Sequence, residues 1–209
     1  MGDFWHGQGL AGRRCRHFDF GARLRAEAGT GALLDPVEIE IVRRTLRSGA
    51  LLEDAEFPIA LKILAGFVRE QALGGKDILI LNGLPRHAGQ AERLERVVEI
   101  RAVVKLEASP QVIVTRIRAD TGGDRAGRAD DDPGAVAARL RLYDVRTAPL
   151  EDYYRKRGAA VLGLAIEDRT TAAEIAERFS PQLNTLFGEE AALRPRPRLG
   201  PEAGGRRLS

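Results

Sequence analysis

Cysteine is almost missing from this chain of 209 residues: Cys15 is the only one. A lone thiol cannot close an internal disulfide or build a Cys-rich zinc site, so a reducing cytoplasm is the expected home. No apolar run approaches the ~20 residues that a membrane-crossing helix requires, and the first residues lack the apolar centre of a secretory leader. No membrane partner is expected. A dominant charge is also lacking: 33 Lys and Arg oppose 30 Asp and Glu, a net charge of +3. From Gly188 onward five arginines face three glutamates, so the remaining body is close to neutral and nucleic acid is not an expected partner. Lysine is scarce, with only Lys62, Lys76, Lys105 and Lys156, so the positive charge is carried almost wholly by arginine.

What is present is ordinary globular composition, 44% hydrophobic and 30% charged, enough for one well-buried domain. The pattern predicts a strand at 15–20 and a helical turn at 23–27. A clear helix then starts at Asp35-Pro36, a cap followed by proline at the first helical position, and ends at Gly49. A second amphipathic helix is expected over 57–71, closed by Gly74-Gly75. Strands follow at 78–81 and 101–106, helices from about Gly89 and from Pro110. Residues 120–132, with three glycines and a run of aspartates, read as a mobile loop. A long helix over 134–157, a strand at 161–166 and a last helix at 171–187 complete the body. The Arg/Pro/Gly-rich residues 188–209 read as a disordered tail. Strands alternating with helices imply parallel pairing and a three-layer α/β/α sandwich.

The most informative segment is Asp77 to Glu92, DILILNGLPRHAGQAE. A buried strand runs into a Gly-Leu-Pro-Arg turn, and Gln90 follows four residues after Arg86. This puts a guanidinium and an amide at the carboxyl end of a parallel strand, where open α/β sheets bind ligands. The guanidinium is a planar fork suited to a phosphate, and the amide can donate and accept. The plainer alternative is an ordinary turn with a surface arginine. Another pattern, Gly7 to Gly12, satisfies G-x-G-x-x-G, but that fingerprint needs a strand before it and a helix after it. Here a strand follows, and no dinucleotide site is expected.

The Asp77–Glu92 segment resembles the D-G-F-P-R…Q motif of adenylate kinases and related nucleoside monophosphate kinases. Gly21-Ala22-Arg23-Leu24-Arg25 is similar to their T-G-D-x-L-R, and Gly49 to Asp54 (GALLED) to G-x-L-V-x-D. Downstream, Gly127 to Asp131 (GRADD), Arg139-Leu140, Thr147 to Leu150 (TAPL) and Tyr153-Tyr154 resemble G-R-x-D-D, R-L, T-A-P-L and Y-Y, in the family's order, over roughly residues 10–187. The resemblance implies a P-loop NTPase-like fold. It also implies transfer of the γ-phosphoryl of ATP to a nucleoside monophosphate, AMP above others, with Mg2+, and a monomer is expected. Residues 22–72 would form the monophosphate-binding part and 118–132 a short lid without zinc. Arg25 and Arg86 would grip the acceptor phosphate beside Gly21 and Gly83. Leu51 and Leu52 would wall its base and Gln90 would read the base edge. Arg128, Arg139 and Arg86 would act on the transferring group, Arg116 and Arg128 would serve ATP and the lid, and Asp130 and Asp131 would anchor lid arginines. No protein side chain is expected to ligate a metal.

The chain departs from the pattern in several places. Its sequence contains no G-x-x-x-x-G-K-[ST] loop, the element that wraps the donor phosphates. Two expectations stay open: a start placed downstream of that loop and its strand, or a degenerate module that keeps the acceptor pocket without an ATP site. Asn82 stands where the family has Asp, Phe20 where it has Thr, and Ala22 where it has Asp. Asp120, four residues past Arg116, stands where the family often has Arg.

Overall fold

Local chemistry starts and stops most elements of the computed structural model, which describes residues 9–119 and 133–188. Strand β1, Cys15–Asp19, leads directly into helix α1, Phe20–Thr30. The side chain of Asp19 accepts from the Ala22 amide and caps that helix, and Gly31 at φ 61 ends it in the left-handed conformation that glycine tolerates. Helix α2, Pro36–Ser48, opens with a complete capping box: Asp35 accepts from the Val37 and Glu38 amides, and Glu38 accepts from the Asp35 amide at 3.0 Å. Helix α3, Phe57–Glu70, buries Phe57, Ile59, Ile63 and Phe67.

Strand β2, Ile78–Asn82, is followed by the short helix α4, Ala88–Leu94, then by β3, Ala102–Glu107, and α5, Pro110–Arg118. The single helix expected over 134–157 is instead three pieces. Helix α6 covers Pro133–Leu142, a π-helical turn covers Tyr143–Thr147, and α7 covers Leu150–Lys156. The break has a tertiary cause. The Thr147 hydroxyl donates to the Arg86 carbonyl at 2.8 Å, and Arg146 forms a two-pronged ion pair with Glu53 at 2.9 and 3.2 Å. These ties pull the chain out of α-helical register, and Pro149, at the edge of α7, has no amide to restore it. Strand β4, Ala160–Ala165, and helix α8, Ala172–Gly188, finish the described chain.

The strands are parallel, as the alternation implies, but among the described residues they form two pairs. β1 pairs with β2 in the register Cys15↔Ile78 to Asp19↔Asn82. β3 pairs with β4 in the register Ala102↔Ala160 to Glu107↔Ala165. β2 and β3 are not hydrogen-bonded to each other. Helix α8 holds the pairs together, because Ile175, Ala176, Phe179 and Leu183 pack on Ile78 and Ile80 of one and on Ala102, Val104, Leu162 and Leu164 of the other. On the opposite face, Leu79 and Leu81 meet the core of α1, α2 and α3 around Phe18, Val42, Phe57 and Ile63. The side chains of β2 thus alternate between two cores, as a strand covered on both faces requires.

The described part of the Gly7–Gly12 pattern, residues 9–12, does not lead into a helix. Leu10 and Arg13 exchange backbone hydrogen bonds of 3.1 and 2.8 Å across a tight turn with Ala11 at φ 50 and Gly12 at φ 69, and β1 follows directly. The lid segment and the tail beyond Gly188 lie outside the described residues.

Candidate functional site at the carboxyl ends of β1 and β2

Asp19 and Asn82 are register partners at the carboxyl ends of their strands. The Asn82 amide donates to Asp19 Oδ2 at 3.2 Å, while Asp19 Oδ1 accepts from Ala22 N at 2.8 Å. The carboxylate that the sequence lacks at position 82 therefore stands on the neighbouring strand.

Two close approaches gather the predicted residues here. A side chain on Gly21 would begin 3.4 Å from both Arg25 Nη1 and Asp19 Oδ1. A side chain on Gly83, whose φ of 87 already favours glycine, would begin 3.3 Å from Phe20 Cβ and 3.9 Å from Arg86 Nη2. Arg25, Arg86, Gly21 and Gly83 thus lie close together at the strand ends, with the Asp19 carboxylate beside them. Phe20 itself is buried, with its ring stacked near that of Phe18 at 6.2 Å, so it contributes to the core.

Arg86 folds back so that Nε donates to the Gly83 carbonyl at 3.1 Å. Surrounding protein pushes its guanidinium below the usual arginine range, Asp19 opposes that shift and Arg139 adds to it. The side chain is nevertheless exposed. The cradle therefore has positive charge in excess of what Asp19 offsets, which suits an anion with several oxygens.

Gln90 is only 1% exposed, and its amide is already engaged. Oε1 accepts from the Arg86 amide at 2.7 Å and Nε2 donates to the Leu52 carbonyl at 2.8 Å. One amide hydrogen and one lone pair are left over after these two bonds. Leu52 turns its side chain into the core at 2% exposure and its carbonyl toward α4, while Leu51 stays half-buried. Arg116 lies away from this cluster, where Nη1 donates to the carbonyls of Glu167, Asp168 and Thr170 at 2.9–3.1 Å and ties α5 to the β4–α8 connection. Arg128, Asp130 and Asp131 lie outside the described residues.

Sequence reasoning missed three contributors. Asp19 was readable two residues before the Gly21–Arg25 motif, but its pairing with Asn82 depends on strand register. Glu53–Arg146 joins residues 93 positions apart and carries no local signal. His87, 6% exposed, sits directly after Arg86 and faces the Leu52 carbonyl and Asp54.

Parallel strands alternating with helices, with an arginine cradle at the carboxyl ends of two of them, define an α/β protein of the P-loop NTPase-like kind. No protein-family model matches the chain. It is 35% identical over 153 residues to an adenylate kinase of Synechococcus sp. (strain WH7803), covering 70% of this chain and 74% of that protein. It is 33% identical over 177 residues to an adenylate kinase of Xanthomonas euvesicatoria pv. vesicatoria (strain 85-10), covering 80% and 84%. Another Synechococcus adenylate kinase, from strain CC9902, is 32% identical over 176 residues, covering 81% and 85%. The chain belongs to the adenylate kinase family.

Proposed function

We propose that this protein is a nucleoside monophosphate kinase that moves the γ-phosphoryl of ATP to an acceptor monophosphate, AMP above others. The observation that carries the proposal is the convergence of Arg25 and Arg86 on Gly21, Gly83 and Asp19 at the strand ends. In this reading Arg25 and Arg86 hold the acceptor phosphate by bidentate contacts. Arg139, with Arg128 of the lid, offsets charge on the transferring group, a step that depends on positioning and electrostatics. Leu51 offers apolar surface to the base, and the unspent capacity of Gln90 favours adenine. Residues 22–72 form the acceptor part and 118–132 the lid, whose closure keeps water from the phosphoryl group.

Magnesium fits this site in a limited way. Among the described residues no group of three acidic, histidine or cysteine side chains could cage a cation. Magnesium that arrives on nucleotide phosphates keeps most of its waters and needs only one or two carboxylates. Asp19 is such a carboxylate at the strand ends, and the ion would supply charge neutralisation on the triphosphate. A monomeric, cytoplasmic protein of nucleotide biosynthesis accords with this reading, and no helix among the described residues is long and apolar enough to cross a membrane.

The alternative is a nucleotide-binding module that keeps the acceptor pocket without donor chemistry. Thermal melts and a coupled assay separate the two. AMP at a hundredfold excess over its Kd should stabilise the protein by about 2.7 kcal/mol. Arg86→Ala should weaken AMP binding by about 1.5–3 kcal/mol, the value of hydrogen bonds to a charged group. ADP formation from ATP and AMP supports the kinase, stabilisation without turnover supports the module, and an AMP-insensitive melt defeats both.

A further inference from the structure

Arg146 and Thr147 are neighbours in the π-helical turn, and their side chains reach two different parts of the candidate site. The Thr147 hydroxyl donates to the Arg86 carbonyl at 2.8 Å. Arg146 Nη1 and Nη2 donate to the two carboxylate oxygens of Glu53 at 3.2 and 2.9 Å. Between these anchor points the chain is already bridged. Gln90 Oε1 accepts from the Arg86 amide at 2.7 Å, its Nε2 donates to the Leu52 carbonyl at 2.8 Å, and Leu52 adjoins Glu53. The links close a circuit that runs from Thr147 through Arg86, Gln90, Leu52, Glu53 and Arg146 back to Thr147.

Arg86 and Leu52 both lie in backbone that belongs to no helix or strand. Side chains therefore supply the bonds that a ladder or a helix would supply elsewhere. Both backbone polar groups of Arg86 are held in this way, its amide by Gln90 and its carbonyl by Thr147. The Arg146–Glu53 pair is partly exposed, 33% on one side chain and 59% on the other, and an isolated pair of that kind contributes little. Two-pronged geometry inside a network is the arrangement in which such a pair does count. The turn that carries both donors is π-helical, closed by the Ala148 amide on the Tyr143 carbonyl at 2.8 Å, and helix irregularities of this type recur at functional sites.

We propose that Arg146 and Thr147 are positioning residues that fix the span of the acceptor site. One end of that span is Arg86, which holds the phosphate; the other is Leu51, Leu52 and Gln90, which receive the base. A single turn is fastened to both ends and sets how far apart they stand. A ligand that touches both ends depends on the whole circuit, whereas one that reaches only the phosphate end does not depend on Arg146. The ligand side of this inference rests on the acceptor-site reading above; the circuit itself does not.

The test uses the full chain with Arg146→Gln, Thr147→Val and both together. Dissociation constants for AMP and for ribose 5-phosphate, which is AMP without its base, are measured by NMR titration. Arg146→Gln should weaken AMP roughly two- to fivefold, the range of a partly exposed ion pair, and leave ribose 5-phosphate as in the wild type. Thr147→Val should weaken AMP roughly two- to tenfold, the value of one hydrogen bond. The double variant should lose less than the product of the two, because the first cut already opens the circuit. In nucleotide-free protein, Arg146→Gln should quicken exchange of the Arg86 amide roughly two- to fivefold, although the bonds of Arg146 go to Glu53. The Ile78 amide, bonded to the Arg14 carbonyl, should exchange as in the wild type. Equal weakening of both ligands by Arg146→Gln, a double variant that loses the full product, or an unchanged Arg86 amide each overturns the proposal. Wild type that binds neither ligand overturns the acceptor-site reading, and the Arg86 amide then decides the circuit alone.

Discussion

The ends of β1 and β2 show how one residue's charge is set by its register partner. Asp19 lies beside both Arg25 and Arg86, and it is the one acidic group that offsets the cost of crowding Arg86 among protein atoms. In the proposed kinase reading, a phosphate held by Arg25 and Arg86 would lie near that carboxylate. Asp19→Asn keeps an oxygen for the Ala22 amide, because Asn caps helices about as well as Asp, so stability should change by no more than about 0.5 kcal/mol. AMP binding, measured by calorimetry at low salt, should tighten. Any dependence of turnover on magnesium should weaken, because the remaining side chain at the strand ends carries no charge. Weaker AMP binding with unchanged stability would mean that Asp19 orders the arginines more than it competes with their ligand. The residue types that matter here were legible in the motif GARLR and the turn NGLPR. That Asp19 stands beside Asn82 and accepts from its amide was not, because it depends on which strands pair and in what register.

At the scale of elements, helix α8 packs on both strand pairs. Phe179 is 3% exposed and sits in the cluster that receives Ile78 and Ile80 from one strand pair and Ala102, Val104, Leu162 and Leu164 from the other. Phe179→Ala should cost about 3–5 kcal/mol in a denaturant titration, a large share of an ordinary domain's stability. Because the same ring serves both pairs, protection of β1–β2 and of β3–β4 should fall together. A loss under about 1 kcal/mol confined to α8 would show that the pairs are joined elsewhere. The helices with local start signals, such as α2 with Asp35-Pro36 and Glu38, were readable from sequence because their caps lie within a few residues of one another. The division of 134–157 was readable in part, because Pro149 interrupts the span. The π-helical turn before it was not, since the contacts at it, Thr147 to Arg86 and Arg146 to Glu53, come from distant parts of the chain.

For the whole molecule, the consequential feature is that β2 and β3 are each paired on one side only among the described residues. Inner strands of a parallel sheet normally read as continuous buried runs. The residues ILILN and AVVKLE have that composition, yet Leu79, Ile80 and Leu81 are only half-buried, as are Ala102 to Lys105. Composition reported strands suited to the middle of a sheet; it could not report that each is paired on one flank only among the described residues. In a parallel ladder successive amides point to opposite sides, so pairing with β1 or β4 satisfies alternate N–H groups and leaves the rest. Amide exchange at low protein concentration should therefore alternate between slow and fast along Ile78–Asn82 and Ala102–Glu107. Raising the concentration should slow the fast set first, because a free strand edge recruits another chain. Uniform protection of both strands in the most dilute sample would mean that these edges are already occupied. The two-pair arrangement, and the exposure it gives β2 beside the arginine cradle, would then be wrong.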